Sequence, residues 1–480
     1  MVQAIWDLKQ HYEEYKNQEV FDCFLAEYLL SDGRYPLTLP ETLKRYHVPT
    51  LDELKKKQQE KLTSNPKLQT LFTTIEMPLV AVLSSMEQQG IVLNSKKLTQ
   101  LGKELDQAIQ EIQVDLQKNI DYPINLNSST QVGNYLVDKL QVPLAKTKTG
   151  KYATNESELS KHKNQFSLIG KLLTYRELTK LKSTYVDSLI GKAGEDNRVH
   201  TTYSQAGIST GRLASSNPNL QNIPVTSTFG KKIKSCFIAS ENHTLVSFDY
   251  SQQELRILAH LTGEEKLIDA FQNNMDIHTL TASQLFETDY EKVTKEERAV
   301  GKTINFGIIY GMSSFGLSEA LRISQHDADI FINNFYRNFP SIRSFYDTYL
   351  KQGMKQNFVE TLLGRRRYVF YYPKQTVLDN QTRRVLLNFP IQGTAADLMK
   401  KAMVEIHQQI LKKNQTIFLL LQIHDDLVFE IPTADEKKLH QLIREIQQIM
   451  CNVYPLIVPM AVDITIGQEW GNMKPFIPSA

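Results

Sequence analysis

Residues 416–431 read TIFLLLQIHDDLVFEI, and their interpretation governs the rest of this 480-residue chain. Two apolar, β-favouring runs flank Asp425-Asp426, with His424 just ahead of them. That is the pattern of two strands joined by a short turn. Turns favour Asp for backbone reasons, so either acid alone has an ordinary explanation. Adjacent carboxylates repel, however, and one of them is forced close to the sheet. A divalent cation is the simplest partner that holds both ionised there.

A third acid occupies a similar place upstream. In LVSFDYSQQELRILAHL (245–261) an apolar strand ends at Asp249, and a helix with Leu255, Leu258 and Ala259 on one side follows. Ser251 and Glu254 have the spacing of a capping box, which offers Glu254 a purely structural role. Magnesium takes carboxylate oxygens together with waters and substrate phosphates. Two ions about 4 Å apart stabilise both attacking and leaving oxygens in phosphoryl transfer. Strand-end acids supply such a pair if the two strands are neighbours.

Between these segments lies VTKEERAVGKTINFGIIYGM (293–312). It opens with a capping box, Thr294 to Glu297, and closes at Gly311, a C′ glycine. Arg298, Lys302, Phe306 and Tyr310 recur every fourth residue, a stripe that drifts about 40° per step around a helix. Two cations followed by two rings suit a nucleotide laid along the helix, although an amphipathic helix with a charged first turn has the same spacing. Gly307 inside it costs about 1 kcal/mol and suggests close packing there.

Further out the chain is less specific. Net charge is +2, so any nucleic-acid site is local. Cys23, Cys236 and Cys451 are few and far apart, which argues against a disulfide framework or a cysteine zinc site. No run of about 18 apolar residues suggests a membrane span, and the first residues do not resemble a secretory signal. Residues 1–75 read as charged helices broken at Pro36 and Pro40, with Lys55-Lys56-Lys57 on a solvated face. Residues 77–117 and 166–190 carry helical spacing, and 121–165 are turn- and lysine-rich. Residues 196–250 read as strands and loops, with VHTTY (199–203) and HTLVSFD (243–249) as strands. Residues 251–360 are mainly helical, helix resumes near 370, and VPMAVDITIG (458–467) ends the chain as a strand.

DYSQQELR (249–256), RAVGKTINFGIIYG (298–311) and QIHDDLVFE (422–430) resemble motifs A, B and C of the family A DNA polymerases, the bacterial DNA polymerase I family. RVHTTYSQAGISTGRLASSNPNLQNIPV (198–225), DIHTLTA (276–282), NFPIQGTAADLMKKAM (388–403) and KLKSTYVDSL (180–189) agree. The likeness runs from about Met77 to Trp470 and faintly through 18–47.

The resemblance implies an α+β right-hand fold. The palm is an antiparallel sheet from 196–256 and 371–480, the helical fingers are 257–370, and the thumb is 76–195. Residues 1–75 are a remnant of a 3′–5′ exonuclease domain. It further implies that Asp249 and Asp425, with the Tyr250 carbonyl, hold two magnesium ions, for which manganese can substitute. Arg298 and Lys302 grip the triphosphate, with Lys302 protonating the leaving group, and His278 touches a phosphate. Phe306 and Tyr310 pack on the incoming nucleotide and template position. Glu254, partnered by Tyr310, blocks a ribose 2′-hydroxyl. Arg212, Gln221, Asn222, Arg384, Asn388, Gln392 and His424 face the primer-template duplex. Asn127, Ser128, Ser129, Lys180 and Lys182 belong to the thumb that follows its minor groove. Arg365, Arg366, Arg367, Lys231, Lys232 and Lys234 are candidates for phosphate contact or mere solvation. The expected partners are primer-template DNA and dNTPs, with no membrane, in a cytoplasmic monomer.

Three departures from the family pattern bear on these expectations. Motif C usually ends in Glu, so Asp426, one methylene shorter, ranks below Asp425 as a ligand. Gln253 replaces an apolar residue in the nucleotide site and is expected to loosen packing behind Glu254. Thr226 stands where the family often has a basic residue. VFDCFLAEYLLSDGRYPLTLPETLKRY (20–46) resembles the end of the exonuclease domain, but two of its three acidic motifs have no counterpart before residue 77. Tyr28 and Asp32 fit the third only in spacing, and Asp22 matches a non-catalytic position. No proofreading is expected, and the family's 5′-nuclease domain has no counterpart here. The rival readings are a single-subunit RNA polymerase or reverse-transcribing enzyme, a catalytically dead scaffold, and a nuclease using the same acids.

Overall fold

The chain is described as a computed structural model covering residues 2–35, 37–224, 227–369 and 379–477. Its centre is an antiparallel sheet built from β1 (His243–Tyr250), β2 (Phe418–Ile423), β3 (Asp426–Pro432), β4 (Val462–Gly467) and β5 (Lys474–Pro475). The spatial order is β2-β3-β1-β4-β5. The hairpin expected around Asp425 is β2–β3, joined by only His424 and Asp425. His424 takes the left-handed conformation, φ 55°, which a two-residue hairpin loop requires at its first central position.

β1 is paired on both sides, and the register aligns Asp249 with Asp426 of β3 and with Asp463 of β4. Residues directly opposite in an antiparallel pair share a face. Alternate residues Val246, Phe248 and Tyr250 point the other way, into the largest core cluster. Leu245 and Val428 join a second core with the helix Ser95–Lys118 and the stretch 178–189.

The helical block between the acid strands contains α1 (Gln253–Thr262), α2 (Ile277–Phe286) and α3 (Lys295–Ile309). Beyond it runs α4 (Asn380–Gln409), which has Pro390 inside it and packs against α1 and the helix Met77–Gln89. The capping box at Thr294/Glu297 forms, and Gly311 adopts φ 62° as the C′ glycine. The tightest approach to α3 is at Gly301 rather than Gly307. A side chain at 301 would run into the backbone oxygen of His278 on α2, whereas one at 307 would meet only Met312.

Several local readings change. Residues 77–117 are two helices, Met77–Gln89 and Ser95–Lys118, separated by a strand Ile91–Leu93. Gly90 (φ 57°) ends the first and the Asn94 side chain caps the second. VHTTY is shared between two short strands of different sheets, and Thr228–Lys234 is a helix. Residues 2–75 carry a parallel strand pair, Gln3–Ile5 with Val20–Asp22, among the helices. Pro40 does not break a helix but starts one, Leu39–Tyr46, where its missing N–H costs nothing. Pro36 lies outside the described residues. Lys55 is not solvated: it is buried and donates to the Val2 carbonyl.

The helical stretch Pro66–Gln89 is long and apolar enough, by length and composition, to cross a membrane. Its apolar residues pack in the core instead, and it carries a buried charge, Glu76. Around Glu76 gathers an ion cluster from distant parts of the chain. Lys400 Nζ lies 2.9 Å from Glu76 Oε1, and Arg365 bonds both Glu76 and Asp397, the latter at 2.7 Å. Gln205 Nε2 donates to Glu76 Oε2 at 2.6 Å, and Thr361 Oγ1 to Asp397 Oδ2 at 2.8 Å. Burial pushes the Glu76 carboxyl up, but Lys400 and Arg365 outweigh it and hold it at about 2.

Candidate active site

A cleft of about 760 Å³ opens where β1, the β2–β3 turn, α1 and α3 meet. It is lined by Asp249, Tyr250, Gln253, Glu254, His278, Arg298, Lys302, Phe306, Tyr310, His424 and Asp425, and also by Arg212, Gln221 and Asn222. Residues separated by more than two hundred positions are thus brought to one place.

The backbone holds the two halves together. Tyr250 N–H donates to the Asp425 carbonyl at 3.0 Å, which sets the hairpin turn beside the end of β1. The Asp249 and Asp425 carboxyls are close enough to perturb each other, and Asp426 and Asp463 also act on Asp249. The Asp249 and Asp425 carboxyls are both raised, first because the cleft walls strip water from them. For Asp249 the neighbouring acids add to the rise. Two such acids share a proton unless a cation arrives.

Asp426 stands apart from this pair. It does not line the cleft; its Oδ1 accepts from Ser247 Oγ at 2.5 Å, and burial raises its carboxyl against the pull of Ser247 and Lys234. Asp463, across from Asp249 on β4, does line the cleft and was not singled out from the sequence. The signal that could have found it was the lone acid in the apolar strand VDITIG. Among the described residues no group of three or more His, Cys, Asp or Glu forms a closed metal cage. Carboxylate oxygens without nitrogen or sulfur donors suit a hard cation that completes its shell with waters and ligand phosphates.

The stripe on α3 faces the cleft. Phe306 and Tyr310 stack with centroids 6.2 Å apart, and the His278 ring lies 5.7 Å from Phe306. Lys302 is exposed and has no ion-pair partner among the described residues. Arg298 is held sideways: its Nε and Nη2 donate to Asp276 at 3.2 and 2.7 Å. Burial would raise the Asp276 carboxyl, but Arg298 and the Thr279 N–H that Asp276 caps hold it at about 2.

Glu254 is not a capping residue. α1 starts at Gln253 after Gln252 in the left-handed region, with no side-chain cap. Glu254 Oε1 instead accepts from Arg212 Nη2 at 2.6 Å, while Oε2 is buried without a geometrically satisfactory partner. Burial raises its pKa against the pull of Arg212, and the Tyr310 hydroxyl is near enough to add to that pull. Burial and then Glu254 raise Tyr310 in turn. Gln253 is buried and its Nε2 donates to the Ala395 carbonyl of α4 at 3.4 Å. That bond ties the two helices together and runs against a loosened packing behind Glu254.

Gln221 Nε2 donates to Gln422 Oε1 at 3.1 Å, and Gln422 Nε2 to the His424 carbonyl at 2.6 Å, a chain that braces the hairpin turn. Arg384, Asn388 and Gln392 lie along α4 outside the cleft; Arg384 is exposed and Asn388 Oδ1 is buried without a partner. Lys180 is exposed, whereas Lys182 is engaged by Asp187 at 2.8 Å and Asp106 at 3.3 Å. Asn127 and Ser129 are exposed, and Ser128 caps the helix Ser129–Asp138. Arg365 is removed from the phosphate candidates by its burial in the ion cluster. Arg366 lies over Phe358 at 3.9 Å, and Arg367 lies 3.9 Å from Asp32. Lys231 is exposed, Lys232 pairs with Glu104 at 2.8 Å, and Lys234 lies 4.0 Å above the Trp470 ring. Thr226 lies outside the described residues.

Comparison with known proteins adds an independent measure. The profile of DNA polymerase family A matches residues 95–472. "DNA polymerase I" of Chloroflexus aurantiacus is 39% identical over 457 residues, covering 94% of this chain and 47% of that protein. "DNA polymerase I, thermostable" of Thermus aquaticus is 41% identical over 418 residues, covering 86% of this chain and 50% of that protein. The chain therefore spans about half the length of the curated relatives it matches. Among solved structures, the POL domain of Pol1 from M. smegmatis, in complex with DNA primer-template and dNTP, superposes with a TM-score of 0.91 at 33% identity. That match covers 98% of this chain and 86% of the other.

Proposed function

The chain belongs to DNA polymerase family A and has its right-hand fold, and from that premise we propose that it extends a primer 3′-hydroxyl with dNTPs on a DNA template. The observation that carries this reading is the meeting of Asp249 and Asp425 in the cleft that the cation-and-ring stripe of α3 also lines. Like-charged oxygens with raised pKa values, open to a cleft, fit two magnesium or manganese ions. When bound, such ions supply charge stabilisation for the attacking and leaving oxygens. The Tyr250 carbonyl is a candidate third donor.

The protein's own groups do the rest. Arg298, Lys302 and His278 bind triphosphate oxygens, and Lys302 can deliver a proton to the departing pyrophosphate. Phe306 and Tyr310 present ring faces to the base and template position. Glu254 fills the space a ribose 2′-hydroxyl needs, held there by Arg212. Gln221, Asn222, Arg384, Asn388, Gln392 and His424 line the course of the duplex, where amides can bond minor-groove acceptors common to all base pairs. The five-stranded sheet with α4 acts as palm, 257–370 as fingers and 76–195, with Lys180, as thumb; the fingers–palm boundary lies outside the described residues.

Residues 2–75 serve as a brace and not as a proofreading site. Asp22 caps the helix Cys23–Ser31 and accepts from Leu8 N at 2.8 Å, Tyr28 Oη donates to the Ile208 carbonyl at 2.5 Å, and Asp32 accepts from Tyr368 N at 2.7 Å. These groups are committed to structure. The test is primer extension with magnesium by wild type, Asp249→Ala and Glu254→Ala. Extension is expected from wild type and not from Asp249→Ala, and ribonucleotides should enter only with Glu254→Ala. Equal activity of wild type and Asp249→Ala, or metal-dependent excision of a mismatched primer end by this chain, would refute the respective part.

A further inference from the structure

We propose that Asn305 is a positioning residue that holds His278 with its proton on Nε2, ready to donate to a phosphate oxygen of the nucleotide or of departing pyrophosphate. The proposal rests on the reading that the triphosphate lies along α3. Asn305 is on the α2-facing side of α3, flanking the stripe of cations and rings and one turn beyond Gly301, where α3 comes closest to α2.

The hydrogen bonds around it leave one arrangement. Asn305 Nδ2 faces both His278 Nδ1, at 3.1 Å, and the Ile277 carbonyl, at 3.5 Å. A carbonyl only accepts, which favours the amide nitrogen on that side; turning the amide over would lose the Ile277 contact and set two carbonyl oxygens against each other. Thr281 Oγ1 closes the network by donating to Asn305 Oδ1 at 2.9 Å. An amide N–H only donates, so His278 Nδ1 is the accepting nitrogen and the ring proton is on Nε2. Asn305, Thr281 and His278 are 1%, 0% and 4% exposed, so no water competes for these bonds. His278 nonetheless lines the cleft, and Nε2 has no hydrogen-bond partner among the described residues.

The ring's surroundings keep it neutral. Burial lowers the His278 pKa, the cations Arg298 and Lys302 lower it further, and Asp276 opposes them. A neutral imidazole with the opposite tautomer would turn a lone pair toward a phosphate and repel it. The amide therefore decides whether this ring attracts or repels the ligand.

Selective ¹⁵N-histidine labelling, with His278 assigned from its absence in His278→Gln, reads the tautomer directly. Wild type should show a bare Nδ1 and a protonated Nε2. Asn305→Leu should give mixed tautomers, with pyrophosphate inhibition and the dNTP KM weakened about three- to tenfold and kcat nearly unchanged, the scale of one ordinary hydrogen bond. Asn305→Asp, which can only accept, should move the proton to Nδ1. Its new carboxylate should raise the His278 pKa, so affinity for pyrophosphate should fall as pH rises through that value, while that of wild type stays flat. It also serves as the second variant should Asn305→Leu fold poorly. A proton on Nδ1 in wild type, or a tautomer indifferent to both substitutions, overturns the proposal. Unchanged pyrophosphate inhibition in His278→Gln, with the wild-type spectrum as expected, would instead overturn the phosphate reading of this site.

Discussion

Glu76 and Asp249 are both acids set deep among other charges, and their neighbours push them in opposite directions. Around Glu76 the closest partners are Lys400 and Arg365, and its carboxyl is held at about 2 despite complete burial. Around Asp249 the closest charges are Asp425, Asp426 and Asp463, and its carboxyl is raised. The two regions share a wall, since Lys400 of the cluster also borders the cleft. A cluster that serves stability finds its countercharges within the chain. One that serves a ligand leaves acids facing acids, so that the missing positive charge must come from outside.

The comparison can be broken most sharply at Asp249. Asp249→Asn should reduce primer extension roughly a thousandfold, the scale of removing a preorganised charge from a reacting centre. In EDTA its melting temperature should equal or exceed that of wild type, because a repulsion has been removed. A clear loss of melting temperature would mean that the acid is structural, and the contrast with Glu76 would collapse.

The opposite pattern is expected of Glu76→Gln. Two buried cations would be left with Asp397 alone, at a cost of about 3–5 kcal/mol, read from urea midpoints at constant m. Folded protein should keep its extension rate. The sign with pH follows from a depressed folded pKa: the Glu76 contribution is complete above its ordinary value of 4.5 and is lost as pH falls through about 2. The stability gap between wild type and Glu76→Gln should therefore close across that window. A gap that persists at the acid end would show that the carboxylate charge is not what stabilises.

The smallest effect concerns Asp276, an acid inside the cleft region that does have a cation. Asp276→Asn keeps a good helix cap and removes one negative charge beside Arg298. The dNTP KM should fall about two- to fivefold and pyrophosphate should inhibit more strongly, in keeping with a half-exposed pair worth under about 1 kcal/mol. A rise in KM would place Asp276 with Glu76, as a structural partner, and blur the boundary between the two regions.

Most of the cleft was legible before any coordinates because its features are local. The hairpin around Asp425, the strand before Asp249, the Thr294–Glu297 capping box and the Gly311 helix end all follow from residues within a few positions of each other. The stripe from Arg298 to Tyr310 is a helical repeat. What was misread depended on distant partners. Lys55 reads as solvated until the Val2 carbonyl meets it, and Arg365 reads as a phosphate contact until Glu76 and Asp397 enclose it. Glu254 has the spacing of a cap, but Arg212 claims its carboxylate. Asn305 gave no local sign and Asp463 only that of a lone acid in an apolar strand, since their significance lies in helix crossing and strand register.

The sequence by itself therefore determined the strands and helices that frame the cleft, and which acids, cations and rings stand at their ends. Short-range backbone preferences and side-chain periodicity suffice for that. Only the tertiary structure decided which charges are neutralised within the chain and which are left for a ligand. That outcome depends on distances between residues up to 372 positions apart, and Coulomb energies and burial respond to those distances rather than to order along the chain.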